Sequence, residues 1–229
     1  MSSTTRPKLF RASPVSDNLT ALLAQYASAV NRRLEEHVPP GGSAEDRITN
    51  AMRAAVLSPG KRLRPALVMM VARAFGRPED EVLDVACVPE LVHAASLALD
   101  DLPCMDDAGL RRGAPTLHRQ FGEAVAILAA FALLSRAQSL LPSALTAAGV
   151  APAHRRDVQS RFAGVIEALC RGQAADLELT RADASLDCLE RVHAQKTGAL
   201  FEYAALLGAV TAGARGAASE AVLAYARNL

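Results

Sequence analysis

Apolar residues recur at intervals of three and four along most of the chain, and no segment alternates strictly between apolar and polar residues. The first spacing puts apolar side chains on one face of an α-helix, whereas strict alternation is typical of a half-buried strand. The sequence therefore predicts an all-α fold. Several segments are apolar on most faces, as the central helices of a large bundle would be.

Capping and helix-breaking residues divide this pattern into separate helices. Ser43 with Asp46 can form a capping box, while Pro65, Thr116 and Pro152 suit the first positions of further helices. Helix ends are expected at Pro39-Pro40-Gly41-Gly42, Ser58-Pro59-Gly60, Pro103, Pro142 and Gly213, and a kink at Pro89. The predicted helices span residues 17–37, 43–57, 64–75, 79–101, 122–140, 152–179, 185–212 and 217–229.

Length and charge bound the possible functions. The 229 residues, of which 51% are hydrophobic, suffice for one domain over 1–229 with a sizeable core. Residues 1–14 lack the apolar core of a signal peptide and are expected to be a disordered tail. A net charge of +1 argues against a nucleic-acid partner. The uncharged apolar run from Ala124 to Leu134 is shorter than the ~20 residues of a membrane span, so no transmembrane segment is expected.

The cysteines indicate the compartment. The chain has four of them, at Cys87, Cys104, Cys170 and Cys188, and none forms a C-x-x-C pair. This spacing supports neither a zinc site nor a disulfide framework. We therefore expect a protein of the reducing cytoplasm.

Four carboxylates crowd into eight consecutive positions, at Asp100, Asp101, Asp106 and Asp107. Aspartates beside a proline are often only a solvated helix end. Here, however, they follow an apolar run and would lie at the negative C-terminal end of a buried helix, where carboxylates are disfavoured. Their mutual repulsion requires a neutralising cation, and Mg²⁺ accepts one or two carboxylates while substrate phosphates complete its shell.

Pro103 decides whether two of these carboxylates can share one metal. On an unbroken helix Asp100 and Asp106 would point apart, by about 240° around the axis. If Pro103 ends the helix, the chain can loop back and place Asp106 beside Asp100. A helix continuing through residue 107 would contradict this hypothesis.

Basic residues follow and precede the acidic cluster. Arg111 and Arg112 come just after it and can grip phosphate oxygens with two parallel bonds each. In the segment from Pro59 to Pro65, Gly60 permits close backbone approach, and Lys61 and Arg64 would lie one turn apart in the first helical turn. Taken alone, this segment is more often a solvated loop. His93 alone is more often a core histidine than a ligand, and Lys196-Thr197 is a weaker signal still.

Together these segments carry a family resemblance. GKRLRP, HAASLALDDLPCMDDAGLRRGAPTLHRQFGEAVAILAAFALL, GQAADLEL and KTGALF occur in this order from residue 43 onward. The chain resembles the trans-type isoprenyl diphosphate synthases, and within them the bacterial geranylgeranyl diphosphate synthases of carotenoid pathways. The resemblance implies an all-α bundle around a deep central cavity, a homodimer, and condensation of isopentenyl diphosphate with an allylic diphosphate, assisted by Mg²⁺.

The same resemblance assigns roles to residues. Asp100 and Asp106 resemble the magnesium ligands, supported by Asp101 and Asp107. Arg111, Lys196 and Thr197 resemble contacts to the allylic diphosphate. The family's pocket for isopentenyl diphosphate is matched here by Lys61, Arg64, His93 and Arg112. Ala95 and Ser96 resemble the floor that limits product length, and their small size implies a product longer than farnesyl diphosphate.

The chain departs from the family pattern in two places. No second D-D-x-x-D motif follows Asp107, and neither Asp183 nor Asp187 supplies one, so a C-terminally truncated and catalytically impaired chain is expected. A non-catalytic subunit that modulates an active partner is the alternative. Ala130-Phe131 stands where many relatives have Gly-Asp.

Overall fold

The structure, a computed structural model, describes residues 14–41, 43, 46–179 and 185–229, and the side chains of residues 14–17 are not part of that description. The expected tail lies largely outside these residues, as does Asp183. Ten α-helices occur in the described ranges: α1 Pro14–His37, α2 Arg47–Val56, α3 Leu63–Ala74, α4 Leu83–Asp100, α5 Leu117–Phe121, α6 Glu123–Ala147, α7 Pro152–Glu178, α8 Leu186–His193, α9 Ala199–Thr211 and α10 Ala217–Arg227. A 3₁₀ turn, Asp80–Val82, precedes α4, and a π-helical segment, Ala194–Gly198, joins α8 to α9. The all-α prediction is confirmed.

Helix α4 forms the centre of the bundle. Its most extensive neighbour is α6, and α1, α2, α3 and α9 also pack against it. Leu91 and Ala95 are fully buried within it, and Pro89 lies inside the helix on a buried face. The helix ends at Asp100, so the fold carries the acidic cluster to the end of its most buried helix.

Several boundary predictions need correction. Helix α2 begins at Arg47, and the carboxylate of Asp46 caps it by accepting from the Thr49 amide at 3.0 Å, so Ser43 does not open the helix. Pro65 is the third residue of α3, not the first. Pro142 does not end α6, which continues to Ala147 and stops before Gly149, whose φ of +70° suits glycine. Buried Leu141 and Leu145 on either side of the proline offset its lost hydrogen bond by packing.

A short hairpin was not predicted. Strands β1 (Leu110–Arg111) and β2 (Ala114–Pro115) pair antiparallel, with Arg111 opposite Ala114. The two loop residues, Arg112 and Gly113, have φ values of +53° and +83°. Two positive φ values in a two-residue loop are typical of the tight turn that matches strand twist. The segment is too short for alternation to reveal it.

Two described helical stretches are long and apolar enough to cross a membrane by length and composition alone: Asp80–Asp100 and Glu123–Ala147. In the first, 67% of the most apolar window is buried inside the bundle, and in the second 33%. Core helices meet the same criterion, so the finding is weak evidence for a span. It does identify α6 as an apolar helix with a large uncovered surface.

Candidate active site

The acidic cluster loops back on itself, as the Pro103 hypothesis predicted. After α4 ends, the Asp106 amide donates to the Asp100 carbonyl oxygen at 2.9 Å, and the Asp107 amide donates to the Leu102 carbonyl oxygen at 3.0 Å. Asp107 adopts a φ of +46°, which turns the chain sharply there. These bonds bring Asp106 beside Asp100 at the end of α4. We call Asp100 and Asp106 the acidic shelf; that it holds a metal ion stays a prediction.

The shelf carries repelling charges in a partly dry place. The pKa of Asp100 is raised to about 6, chiefly by burial; Lys196 and Arg111 oppose the shift, and the neighbouring carboxylates of Asp106 and Asp101 add to it. A carboxylate with a raised pKa and like-charged neighbours is a site that a cation would stabilise. Among the described residues no three metal-ligating side chains converge. The shelf therefore fits a hard dication that takes its remaining ligands from water or substrate oxygens.

Arg111 is anchored to the buried carboxylate beside the shelf. Its Nε donates to both Asp101 oxygens at 2.8 Å, and its Nη2 donates to Oδ1. Asp101 is only 3% exposed, whereas the Arg111 side chain is one-third exposed. The bonds to Asp101 raise the pKa of Arg111 and keep it charged. Asp101 thus orients a cation next to the acidic shelf.

Four of the residues singled out in the sequence, Lys61, Arg64, His93 and Arg112, line one cavity of about 480 Å³. Its lining comprises Pro59, Gly60, Lys61, Arg62, Leu63, Arg64, Glu90, His93 and Arg112. We predicted Lys61 in the first helical turn. This is wrong, because α3 begins at Leu63 and Lys61 belongs to the preceding turn. Lys61 from the turn and Arg64 from the start of α3 nevertheless line the same cavity.

Gly60 is where this cavity meets the hairpin. Arg112 donates from Nη1 to the Pro59 carbonyl oxygen. A Cβ on Gly60 would come within 2.4 Å of Arg112 Nη1, so a side chain there would displace the guanidinium. The sequence predicted that Gly60 permits close approach. The group that approaches it here is Arg112.

Burial lowers the pKa of two residues that line the cavity, His93 and Arg64. Desolvation, with Arg64 and Arg112 nearby, lowers the pKa of His93 to about 3, so its imidazole is neutral at physiological pH. Burial also lowers the pKa of Arg64, against the opposing charge of Glu90. The Arg64 Nε is buried without a hydrogen-bond partner, and its guanidinium carbon lies 4.5 Å from the centre of the Phe201 ring. Arg64 can therefore offer an uncommitted donor to an anion.

A π-helical segment, Ala194–Gly198, lies between α8 and α9. Lys196 lies in this segment, where its Nζ donates to Asp176 Oδ2 on α7. Lys196 also acts on the charge of Asp100. Thr197 is exposed and lines a different cavity of about 520 Å³ with Phe201 and the C-terminal residues. Lys196 thus lies near enough to Asp100 to act on its charge, whereas the role expected for Thr197 stays a prediction.

Sequence reasoning missed three side chains of the site. Asp176 fixes Lys196, and Glu90 with Arg62 lines the basic cavity. Asp176 lies within the GQAADLEL segment, so its motif was the available signal. Glu90 sits three residues before His93 in an apolar helix, where a carboxylate needs a buried partner. The isolated carboxylate was therefore the sequence signal that Glu90 has a buried partner.

An acidic shelf and a basic cavity joined by adjacent arginines fit a family with diphosphate substrates. Residues 45–229 match the polyprenyl synthetase family. The chain belongs to that family. It is 41% identical over 230 aligned residues to geranylgeranyl pyrophosphate synthase 10 of Arabidopsis thaliana, covering 99% of this chain and 66% of the relative. With a geranylgeranyl diphosphate synthase of Pantoea ananas the identity is 39%, over 90% of this chain and 68% of the relative.

Solved structures agree with the sequence relatives. An FPP/GFPP synthase from Zymomonas mobilis superposes with a TM-score of 0.85 and 33% identity, covering 93% of this chain and 77% of that one. The likeness confirms the isoprenoid-synthase type of helical bundle. The chain thus spans about two thirds of the length of the first two sequence relatives.

Proposed function

We propose that this chain is a trans-prenyltransferase that condenses isopentenyl diphosphate with an allylic diphosphate to give geranylgeranyl diphosphate. One observation carries the proposal: the hairpin directs Arg111 to the acidic shelf and the adjacent Arg112 to the basic cavity. Two neighbouring sites of opposite charge suit two diphosphates, one bound with a metal and one bound by cations alone. The named activities of the relatives support the same reaction.

We assign the shelf to the allylic substrate. Asp100 and Asp106 would hold Mg²⁺, Asp101 orients Arg111, and Asp107 shapes the turn. Arg111, Lys196 and Thr197 are the proposed contacts to the allylic diphosphate. The basic cavity would hold isopentenyl diphosphate through Lys61, Arg64, His93 and Arg112. Because His93 is neutral, it would donate a hydrogen bond to that diphosphate without adding charge.

The chemistry follows from these charges. Asp100 and Asp106 would hold Mg²⁺, which would supply positive charge that favours ionisation of the allylic C–O bond. Arg111 and Lys196 stabilise the developing negative charge of the departing diphosphate from the protein side. The double bond of isopentenyl diphosphate, held in place by the basic cavity, then attacks the allylic cation. Loss of a proton to the released diphosphate leaves an alkene that is longer by one isoprene unit.

Product length is proposed to depend on small residues one turn below the shelf. Ala95 is fully buried, and Ser96 is half-buried, with its hydroxyl donating to the His93 carbonyl oxygen at 2.9 Å. A large side chain there would shorten the space for a growing chain. We expect Ala95→Tyr and Ser96→Tyr to shift products toward shorter chains in chromatography. An active variant whose products keep the parental length would exclude this role.

The experiment that tests the function is direct. Purified chain is incubated with Mg²⁺, labelled isopentenyl diphosphate and one allylic diphosphate at a time, and the products are separated by chromatography. Because this sequence has no second D-D-x-x-D motif, we expect slow metal-dependent elongation, a further loss of about 100-fold or more for Asp100→Asn, and no further loss for Asp157→Asn on the exposed face of α7. Turnover only after mixing with an active relative would instead identify a modulating subunit. No effect in either assay would refute the proposal.

We also propose a homodimer in the cytoplasm. The uncovered surface of α6 exposes Leu128 and Phe131 with 56% and 64% of their area accessible. Two large apolar side chains one turn apart on an apolar helix favour contact with a second copy. The four cysteines are all unpaired, which suits a reducing compartment.

A further inference from the structure

Arg62 is a buried cation that lines the basic cavity, and its guanidinium is hydrogen-bonded to other groups of the chain. Its side chain is 3% exposed and its Nη1 donates to Glu90 Oε1 at 2.6 Å, where the carboxylate is 5% exposed. Its Nε donates to Asn31 Oδ1 at 2.8 Å. Its Nη2 donates to the carbonyl oxygens of Val56 and Ser58 at 2.9 and 2.8 Å. Four acceptors on three helices and one turn thus converge on a single guanidinium.

These bonds fix the backbone that carries the diphosphate-binding cations. Arg62 lies directly after Lys61 and adopts a φ of +50°, in the left-handed region that a bulky residue rarely occupies. This conformation sends the Arg62 side chain inward between α1, α2 and α4. Its neighbours Lys61 and Arg64 are left facing the cavity. A strained backbone persists only where surrounding contacts hold it, and the partners of Arg62 supply them.

Glu90 connects the same cluster to the other wall of the cavity. It is on α4 three residues before His93, so the two side chains share one face of that helix. The ion pair therefore sets the distance between the turn carrying Lys61 and the helix carrying His93. In the described part of the chain, Glu90 is the one carboxylate lining this cavity. It balances Arg62 and leaves the charges of Lys61, Arg64 and Arg112 for an anion.

We propose that Arg62 and Glu90 are a positioning pair for the isopentenyl diphosphate pocket: they hold Lys61, Arg64 and His93 at the spacing a diphosphate requires without touching it. The inference rests on the proposed function for its substrate, but the anion chemistry of the pocket is independent of turnover. A buried ion pair is commonly no more stabilising than apolar residues of similar volume. Stability alone therefore does not account for the pair, whereas the positions it gives Lys61, Arg64 and His93 do.

The test uses the full chain and two readouts. Isothermal titration measures the Kd for inorganic diphosphate, and steady-state kinetics measures KM for each substrate. For Arg62→Lys, whose single ammonium cannot reach all four acceptors, we expect Kd and the KM for isopentenyl diphosphate to rise about tenfold or more. The KM for the allylic substrate is expected to stay within about twofold. Arg77→Lys is the matched control, since Arg77 bridges Glu81 and the Ala148 carbonyl oxygen outside the cavity.

A second variant separates positioning from stability. Arg62→Met combined with Glu90→Met replaces the pair with apolar side chains and is expected to keep the melting temperature while still weakening diphosphate binding. An unchanged Kd in either Arg62 variant, or equal rises in both KM values, would overturn the proposal. If the parent binds diphosphate but shows no turnover, the proposed function fails while the Kd comparison still decides the positioning role.

Discussion

At the scale of single residues, backbone strain is concentrated in the candidate site. In the described part of the chain, the non-glycine residues with positive φ are Arg62, Asp107 and Arg112. One holds the basic cavity together, one turns the acidic shelf, and one forms the hairpin loop. Each such conformation costs roughly 1 kcal/mol or more and needs compensating contacts. Side-chain identity alone could not predict them, because arginine is not enriched in that backbone region and aspartate, although enriched, occupies it in only a minority of cases.

His93 gives a prediction for pH. Its pKa is about 3 in the folded state against 6.5 in the unfolded chain, so the unfolded state binds more protons between these values. The contribution of His93 to stability is therefore complete above pH 6.5 and is lost as the pH falls. Between pH 7 and pH 5 the parent is expected to lose about 1 to 2 kcal/mol of its free energy of unfolding through His93. The His93→Asn variant should not show this loss, and urea unfolding at both pH values measures the difference.

The comparison with the variant is essential because Asp100 works in the opposite direction. Its pKa is raised from 3.8 to about 6, so its own contribution improves as the pH falls through 6. Only the difference between parent and His93→Asn isolates the histidine. Replacement of the exposed His193 by asparagine serves as the control for removing an imidazole from the surface. Parallel curves for parent and His93→Asn would contradict the prediction.

The contact between Arg64 and Phe201 links the basic cavity to α9. With the guanidinium carbon 4.5 Å from the ring centre, the aromatic face holds Arg64 without using its donors. Phe201→Leu keeps an apolar side chain but removes the ring. We expect it to weaken inorganic diphosphate binding by about two- to fivefold in titration calorimetry, whereas Phe201→Tyr should stay within about twofold of the parent. Equal weakening in both variants would show that the ring face is not the cause.

At the scale of elements, the π-helical segment was not predicted from the sequence. The helix predicted over 185–212 is interrupted by Ala194–Gly198, which contains Lys196. Apolar periodicity continues through both flanking helices, so the one-residue insertion leaves little trace in the pattern. Its cause is visible only in three dimensions, where this segment packs against Gly172 of α7. The position of Lys196 depends on that contact.

Gly172 therefore provides a prediction with a control on the same helix. A Cβ at Gly172 would lie 2.3 Å from the Lys196 backbone nitrogen, whereas a Cβ at Gly164 meets nothing within 4 Å. We expect Gly172→Ala to lower the free energy of unfolding by about 1 to 3 kcal/mol, because the backbone of the π-helical segment must move. Gly164→Ala should raise it by about 0.5 to 1 kcal/mol, since alanine is the better helix former. Chemical denaturation measures both, and a stabilised Gly172→Ala variant would refute the contact.

At the scale of the whole molecule, the sequence predicted the helical bundle and most of the site but not how the parts are held. Helix α4, its end at Asp100 and the return of Asp106 follow from apolar periodicity and Pro103. Arg62 and Glu90 could not be assigned, because their partners are distant in sequence and come together only when α1, α2 and α4 pack. Local patterns predict elements, whereas buried polar partners depend on the packed bundle.

The proposed dimer can be tested through the exposed surface of α6. Ala124, Leu128 and Phe131 recur at intervals of four and three along its uncovered surface, which gives one apolar stripe. In a twofold dimer each residue of the stripe is used twice, so a single substitution alters two contacts. We expect the parent to sediment at twice its mass of 24.1 kDa and Phe131→Asp to sediment as a monomer at the same concentration.

The charge introduced by Phe131→Asp would have to be buried without a partner in each subunit, which a marginal interface cannot tolerate. Leu186→Asp makes the same change at a side chain that is 70% exposed on α8 and should leave the dimer intact. Unfolding of the Phe131→Asp monomer should also occur at a lower temperature and without dependence on protein concentration, because association no longer stabilises the folded chain. A Phe131→Asp variant that remains dimeric would show that the subunits meet elsewhere.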